Sequence, residues 1–394
     1  MAYVNVIRPL TEFLHMSRPF FAWRRWWPFA LLGLVPVLAL WSWPRRPGNN
    51  GPHPPEAWHQ AIAPATAGPA DSARLCGVNW VGGDSITVAD LAPLAPDHVT
   101  WLAQVPFGWQ DGVATPTVQL HTARPGGRWG LWGESDVGLL CTARLARRRG
   151  IRTLLKPHLW VRGSGSGWAG DVKMTTPADW NTWFASYTAF ILHYARLAEV
   201  EHLGLLCIGT ELVQTTAPDH EAAWRALIRQ VRQVYHGPLT YAANYDEYQK
   251  IRFWDALDYI GVQAYFPLIA APNPSLETLV AGWQPHLRAL ARLQKQVGKP
   301  VIFTEVGYKT TADAAAEPWK WPDRTAALQP ADEATQARCY EAMFRACWGL
   351  PWLKGMFIWK WYPGLEADGP ARRHADFTPQ HKLAEAVLAR WYGQ

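Results

Sequence analysis

From Arg74 onward, short apolar runs alternate with amphipathic stretches to the end of the chain, and this alternation limits the possible folds more than any other feature. Eight runs read as strands: Leu75 to Trp80, Val99 to Phe107, Ile151 to Trp160, a run from Leu203 ending at Glu211, Leu239 to Asn244, Tyr259 to Tyr265, a run from Val301 ending at Glu305, and Gly355 to Trp361. They are apolar throughout rather than alternating, as strands covered on both faces must be. The stretches between them carry helical periods or form long connections. After Thr176-Pro177, for example, Trp180, Trp183, Phe184, Tyr187, Ile191 and Tyr194 fall on one helical face. Eight strands, each followed by a helix or a long connection over residues 74–394, predict an α/β chain folded as a (β/α)8 TIM barrel. An open doubly wound sheet would call for a Gly-rich phosphate turn after the first strand. Gly77-Val78-Asn79-Trp80-Val81-Gly82-Gly83 lacks that spacing.

The connections differ in length at the two ends of the strands. Helix-to-strand turns are tight, at Arg149-Gly150, His236-Gly237-Pro238 and Gly298-Lys299-Pro300. Strand-to-helix loops are long, near 108–136, 161–176 and 309–331. Functional groups are therefore expected at the carboxyl ends of the strands. Two strands end there in Thr-Glu: Thr210-Glu211 and Thr304-Glu305. A glutamate at a buried strand end is costly unless it is paired or has a chemical task. One such residue is as readily a structural salt bridge as a catalyst. Two of them on different sides of a barrel mouth are what acid/base and nucleophilic chemistry on a glycosidic bond requires. A carboxyl gap of about 5–5.5 Å would imply retention, and one above about 6.5 Å inversion.

Other strand ends supply Asn79, Trp80, Trp109, Lys156, His158, Asn244, Tyr265, Trp359 and Trp361. Tyr265 is a candidate hydrogen-bond donor to Glu305. Sugar rings stack their C–H faces on indole while their hydroxyls need polar partners, so a cleft mixing these groups suits a glycan. Most of the 25 tryptophans are nevertheless expected in the core, at a membrane interface or between helices. Trp319, Trp321, Trp359 and Trp361 are the best placed to escape that role. No HxH or HExxH stands near a strand end and no Gly-x-Ser-x-Gly occurs, so neither a zinc hydrolase nor an α/β-hydrolase is indicated, and no metal or organic cofactor is expected.

The net charge of +6 is concentrated at the N-terminus, where residues 1–46 hold Arg8, Arg18, Arg24, Arg25, Arg45 and Arg46 against Glu12 alone. The remainder is close to neutral, and no nucleic-acid footprint is visible. The arginines bracket an uncharged segment, 26–43, which as a helix would span about 27 Å. Trp26, Trp27, Trp41 and Trp43 lie at its ends, as interfacial residues do. The expectation is a short cytoplasmic segment (1–25), a membrane anchor (26–43), a Pro/Gly-rich linker (44–73) and a monomeric catalytic domain (74–394) outside the cytoplasm. A cleaved signal peptide is the rival, disfavoured by the long leading segment. Cys76, Cys141, Cys207, Cys339 and Cys347 form no CxxC pair and read as free, buried thiols.

The segments Lys156-Pro157-His158-Leu159-Trp160, Ile208-Gly209-Thr210-Glu211-Leu212, Phe303-Thr304-Glu305-Val306-Gly307-Tyr308 and Phe357-Ile358-Trp359-Lys360-Trp361 give residues 74–394 a resemblance. In order and placement they resemble the barrel clan of retaining glycoside hydrolases, and most of all glycoside hydrolase family 113, whose characterised activity is endo-β-1,4-mannanase. The resemblance implies Glu211 as acid/base, Glu305 as nucleophile, and Tyr265 and Trp359 in the central subsite. The acid/base role calls for a Glu211 pKa raised by apolar surroundings and a neighbouring negative charge. Many clan members carry Asn before the acid/base to bind the sugar 2-hydroxyl. Thr210 stands here instead, which bears on the choice of mannose over glucose. The substrate so implied is a β-linked oligo- or polysaccharide, with β-1,4-mannan foremost. A related barrel glycosidase acting on another β-glycan, or a non-catalytic envelope glycan-binding barrel, remain the alternatives.

Overall fold

The computed structural model describes residues 74–120, 132–163, 167–321, 331–366 and 376–394. The chain divides into two units, Met1–Ala70 and Asp71–Gln394, and the fold is that of the second. The expected anchor (26–43) and linker (44–73) lie outside the described residues. No helix among the described residues is long and apolar enough to cross a membrane.

The described residues form eleven strands: β1 (Leu75–Trp80), β2 (Trp101–Gln104), β3 (Phe107–Gln110), β4 (Gln119–Leu120), β5 (Arg152–Leu155), β6 (His158–Val161), β7 (Leu205–Thr210), β8 (Leu239–Ala243), β9 (Ile260–Gln263), β10 (Val301–Val306) and β11 (Leu353–Trp361). Eight of them close into a parallel barrel in the order β1-β11-β10-β9-β8-β7-β5-β2. The remaining three, β4-β3-β6, form a separate small sheet. This corrects two expected strands. Val99 to Phe107 and Ile151 to Trp160 are each broken, at Val105-Pro106 and at Lys156-Pro157. Proline has no N–H to give a ladder, so each barrel strand stops there. The two continuations then pair with each other, Phe107 opposite His158 and Trp109 opposite Trp160.

The α-helices are α1 (Asp136–Arg148), α2 (Pro177–Val200), α3 (Glu221–Arg232), α4 (Leu276–Val297), α5 (Glu333–Cys347) and α6 (Leu383–Tyr392). Their starts follow from local chemistry. Ser135, Thr176, Ser275 and Asp332 each accept a backbone N–H from the first turn, and Pro177 follows Thr176. Gly298 ends α4 at φ +75°. Along each barrel strand, side chains alternate between two cores. Leu75, Trp101, Ala103, Leu154, Leu205, Cys207, Ala242, Ile302 and Phe357 fill the barrel interior. Their neighbours, such as Val78, Leu102, Leu155, Leu206, Ile208, Val301 and Phe303, face the helices and pack on Trp183, Tyr187, Ile191, Trp224 and Leu290. Closure between β1 and β11 depends on Gly355, where a Cβ would meet the Leu75 carbonyl oxygen at 2.3 Å. The five cysteines are free. Cys76, Cys207, Cys339 and Cys347 are buried, and Cys141 is half-buried.

Candidate active site

Glu305 lies on β10 and is almost fully buried, at 4% exposure. Lys156 follows β5, held by its backbone N–H donating to the Gln104 carbonyl at 2.9 Å. Its ammonium is fully buried. It donates to Glu305 Oε1 at 2.5 Å and to the Thr304 carbonyl at 3.3 Å. Burying two charges costs several kcal/mol each unless they are closely paired, and this pair meets that condition. Tyr265 donates its hydroxyl to the other oxygen, Oε2, at 2.9 Å. His158 Nε2 lies 3.6 Å from Oε1. Burial, reinforced by the Lys156 charge, holds the His158 imidazole well below its usual pKa, so it stays neutral. Its ring is parallel to Trp359, 6.4 Å away.

Glu211 follows β7 with φ +52°. The residue is half-buried overall, and Trp168 donates its indole N–H to Oε2 at 3.0 Å. Burial first, and the Glu305 charge second, push its pKa up to about 7; hydrogen bonds from Trp168 and Gln263 act against the rise. Two carboxyls in one cleft thus have unlike surroundings. One is tied to a cation and a phenol, the other is an acid near neutrality.

Both glutamates line a cleft of about 590 Å³. Asn79, Trp80, His158, Thr210, Tyr265 and Trp359 line it with them. Asn79 donates its amide to the Thr304, Phe357 and Ile358 carbonyls at 3.2, 3.1 and 3.4 Å, leaving its Oδ1 buried without a partner. Trp160, Trp319 and Trp321 border the cleft with 52, 38 and 49% exposure. Lys156 sits behind Glu305 rather than on the cleft surface.

Besides Lys156, three expected residues lie off the cleft lining. Asn244 caps its own turn, its Oδ1 accepting from the Tyr245 N–H at 2.7 Å. Trp361 is in the helix-facing core, at 1% exposure. Period two would put it beside Trp359, but the β1–β11 register shifts between Val78 and Trp80, and the alternation is lost at that strand end. Trp109 also stands away from the cleft lining, under the Arg162 guanidinium at 4.2 Å.

The cleft contains groups that strand-end reasoning did not single out. Gln263 ends β9 and satisfies the same rule as Tyr265. Trp168 lies in the long loop after β6. Glu134 lines the cleft too, and burial pushes its pKa up to about 7. Lys360 follows Trp359 across a cis peptide bond, and burial lowers its pKa to about 8. Among the described residues, no three His, Cys, Asp or Glu side chains are grouped as metal ligands.

Comparison with known proteins agrees with this geometry. A family model described as Glycoside Hydrolase Family 113 matches residues 84–382. A solved β-mannanase of that family from Alicyclobacillus acidocaldarius, in complex with a ligand, is 28% identical. The match covers 82% of this chain and 98% of that one, with a TM-score of 0.69. A second, a GH113 β-1,4-mannanase complex, is 26% identical, covering 82% and 99%, with a TM-score of 0.69. The β-glucuronidase of Ruminococcus gnavus shares the fold alone, at 13% identity and a TM-score of 0.54, the match covering 82% of this chain and 50% of that one. A sequence search of curated proteins finds no significant match. With the family match spanning most of the chain and two strand-end glutamates facing one cleft, this chain belongs to glycoside hydrolase family 113.

Proposed function

We propose that this glycoside hydrolase cleaves β-1,4-mannan with retention of configuration, Glu305 serving as nucleophile and Glu211 as acid/base. The observation that carries the assignment of roles is the contrast between the two carboxyls. Glu305 is paired with Lys156 and Tyr265, whereas Glu211 is pushed up to about 7. In the first step a Glu305 oxygen bonds to the anomeric carbon as the glycosidic C–O bond breaks, and the Glu211 proton passes to the leaving oxygen. In the second, water gives a proton to Glu211 and its oxygen to the anomeric carbon, releasing Glu305. Neutral His158 and Trp359, both on the cleft lining, offer a hydrogen-bonding group and an apolar face to the bound sugar. The β-1,4-mannan specificity is drawn from the two GH113 mannanases at 26 and 28% identity.

Incubation with β-1,4-mannohexaose, followed by proton NMR of the new reducing ends, tests both parts. First-formed β-anomers are expected. First-formed α-anomers would remove Glu305 as nucleophile. An intact hexaose beside a cleaved second β-glycan would move the substrate and leave the roles in place.

We further propose that segment 26–43 anchors the enzyme in a membrane with its catalytic domain outside the cytoplasm. The uncharged run and its flanking arginines and tryptophans support this reading. Full-length protein should stay with membranes through alkaline carbonate washing and be cut free by external protease. Recovery in the carbonate supernatant would exclude the anchor.

A further inference from the structure

We infer that Glu247 is a positioning residue for Glu211, acting through Tyr241 and Thr216 on the turn that carries the Glu211 carboxyl into the cleft. The inference rests on Glu211 being the acid/base. Glu211 adopts φ +52°, a left-handed conformation that a side chain with a Cβ disfavours. Such a backbone persists only where its surroundings fix it. Here they do so from both sides. The Glu211 N–H donates to the Ala242 carbonyl at 2.9 Å. The next amide, Leu212 N–H, donates to the Tyr241 hydroxyl at 2.8 Å rather than to a ladder partner. The Leu212 carbonyl accepts from the Thr215 and Thr216 N–H groups at 2.9 and 3.2 Å and from the Thr215 hydroxyl at 2.9 Å.

These bonds converge on one carboxylate. Glu247 Oε1 accepts from the Tyr241 hydroxyl at 3.0 Å and from the Thr216 hydroxyl at 2.6 Å. Its Oε2 accepts from the Asn244 N–H at 3.0 Å. Tyr241 thus accepts from the turn and passes its own proton toward Glu247, which fixes the sense of the relay. Glu247, Tyr241 and Leu212 are each at most 1% exposed, and neither Glu247 nor Tyr241 borders the cleft. Glu247 therefore touches no substrate. As the bonds are arranged, its two oxygens accept from one N–H and two hydroxyls; the Tyr241 hydroxyl already accepts from Leu212, and only the Thr216 hydroxyl, 3.1 Å from the Val213 carbonyl, has a second acceptor to turn to, so a carboxylate satisfies this environment better than an amide. An acidic residue is needed here by hydrogen-bond polarity, not by the reaction. Asn244 belongs to this support rather than to the cleft.

The test uses the full chain and two substrates that differ in their need for an acid. Mannohexaose loses an alkoxide and needs a proton; 2,4-dinitrophenyl β-mannobioside loses a phenolate that leaves unaided. For each, kcat/KM reports the first chemical step relative to free enzyme. Glu247→Gln places an NH2 against donors, and Tyr241→Phe deletes the bridging hydroxyl. Each should lower kcat/KM for mannohexaose by about 10- to 100-fold, a fraction of what a complete general acid contributes. The dinitrophenyl substrate should change less than about threefold on the same scale. Equal losses on both substrates, or no loss on either, would overturn the inference, and Tyr241→Phe decides if Glu247→Gln does not fold. Glu211→Ala in the same assay separates the two levels. Equal losses in Glu211→Ala would remove the acid/base reading and this inference with it. Selective loss in Glu211→Ala with none in Glu247→Gln or Tyr241→Phe would remove the inference alone.

Discussion

Glu305→Gln is expected to lower kcat by about 10⁴-fold or more, because an amide cannot form the glycosyl–enzyme ester through which the proposed reaction passes. The substitution is nearly isosteric, so the cleft should keep its shape. It is not neutral for stability. Lys156 is fully buried and Glu305 is its counter-ion at 2.5 Å. Breaking a buried pair from one side typically costs about 3–5 kcal/mol. The single variant should therefore melt earlier while retaining native circular dichroism at the assay temperature. The double variant Lys156→Met/Glu305→Gln removes both charges and should recover much of the melting temperature with no return of activity. That pattern separates lost chemistry from lost fold. A 2-deoxy-2-fluoro glycosyl fluoride should also leave its sugar on the Glu305 peptide of the unaltered enzyme. More than about 1% residual kcat in a folded Glu305→Gln would remove the nucleophile assignment, given the size of effect expected for such a group.

The barrel was legible because parallel strands buried on both faces must be apolar along their whole length, and the helices between them carry a different period. Val301–Val306 and Leu205–Thr210 are such runs. What stayed hidden was the small sheet. Its strands β3 and β6 continue apolar runs that already read as barrel strands, and only Pro106 and Pro157 mark the breaks. Two-residue β4 inside the loop after β3 has no pattern of its own.

The site was legible where strand ends decide it. Glu211, Glu305, Asn79, His158 and Tyr265 sit at the barrel mouth because the topology puts every strand's carboxyl end there. The rule overreached at Asn244, whose short amide finds a nearer partner in its own turn, and at Trp361, where a register shift turns the side chain toward the helices. It also could not reach Trp168 or Glu134. Both come from the connections between strand and helix, and Trp168 and Glu211 lie 43 positions apart, on either side of α2, with no sequence pattern that links them.

Removal of the acid itself should produce the second large effect. In Glu211→Ala, kcat/KM for mannohexaose is expected to fall by about 10²- to 10⁴-fold, with little change for the dinitrophenyl glycoside. The pH profile supplies an independent sign. Glu211 donates a proton in the first step, so it must enter protonated, and its pKa stands at about 7 through burial and the nearby Glu305 charge. In the unaltered enzyme kcat/KM for mannohexaose should fall tenfold per pH unit above that value. Added azide, which needs no general base, should accelerate turnover of the dinitrophenyl glycoside by Glu211→Ala and yield the β-glycosyl azide. Two other groups on the cleft titrate nearby, Glu134 at about 7 and Lys360 at about 8. Glu247 also stands at about 7 but lies behind the site. Glu211→Ala discriminates among them, because an alkaline limb due to Glu211 disappears in that variant with the activated substrate. A limb near pH 7 that survives there would assign the titration to another of these groups.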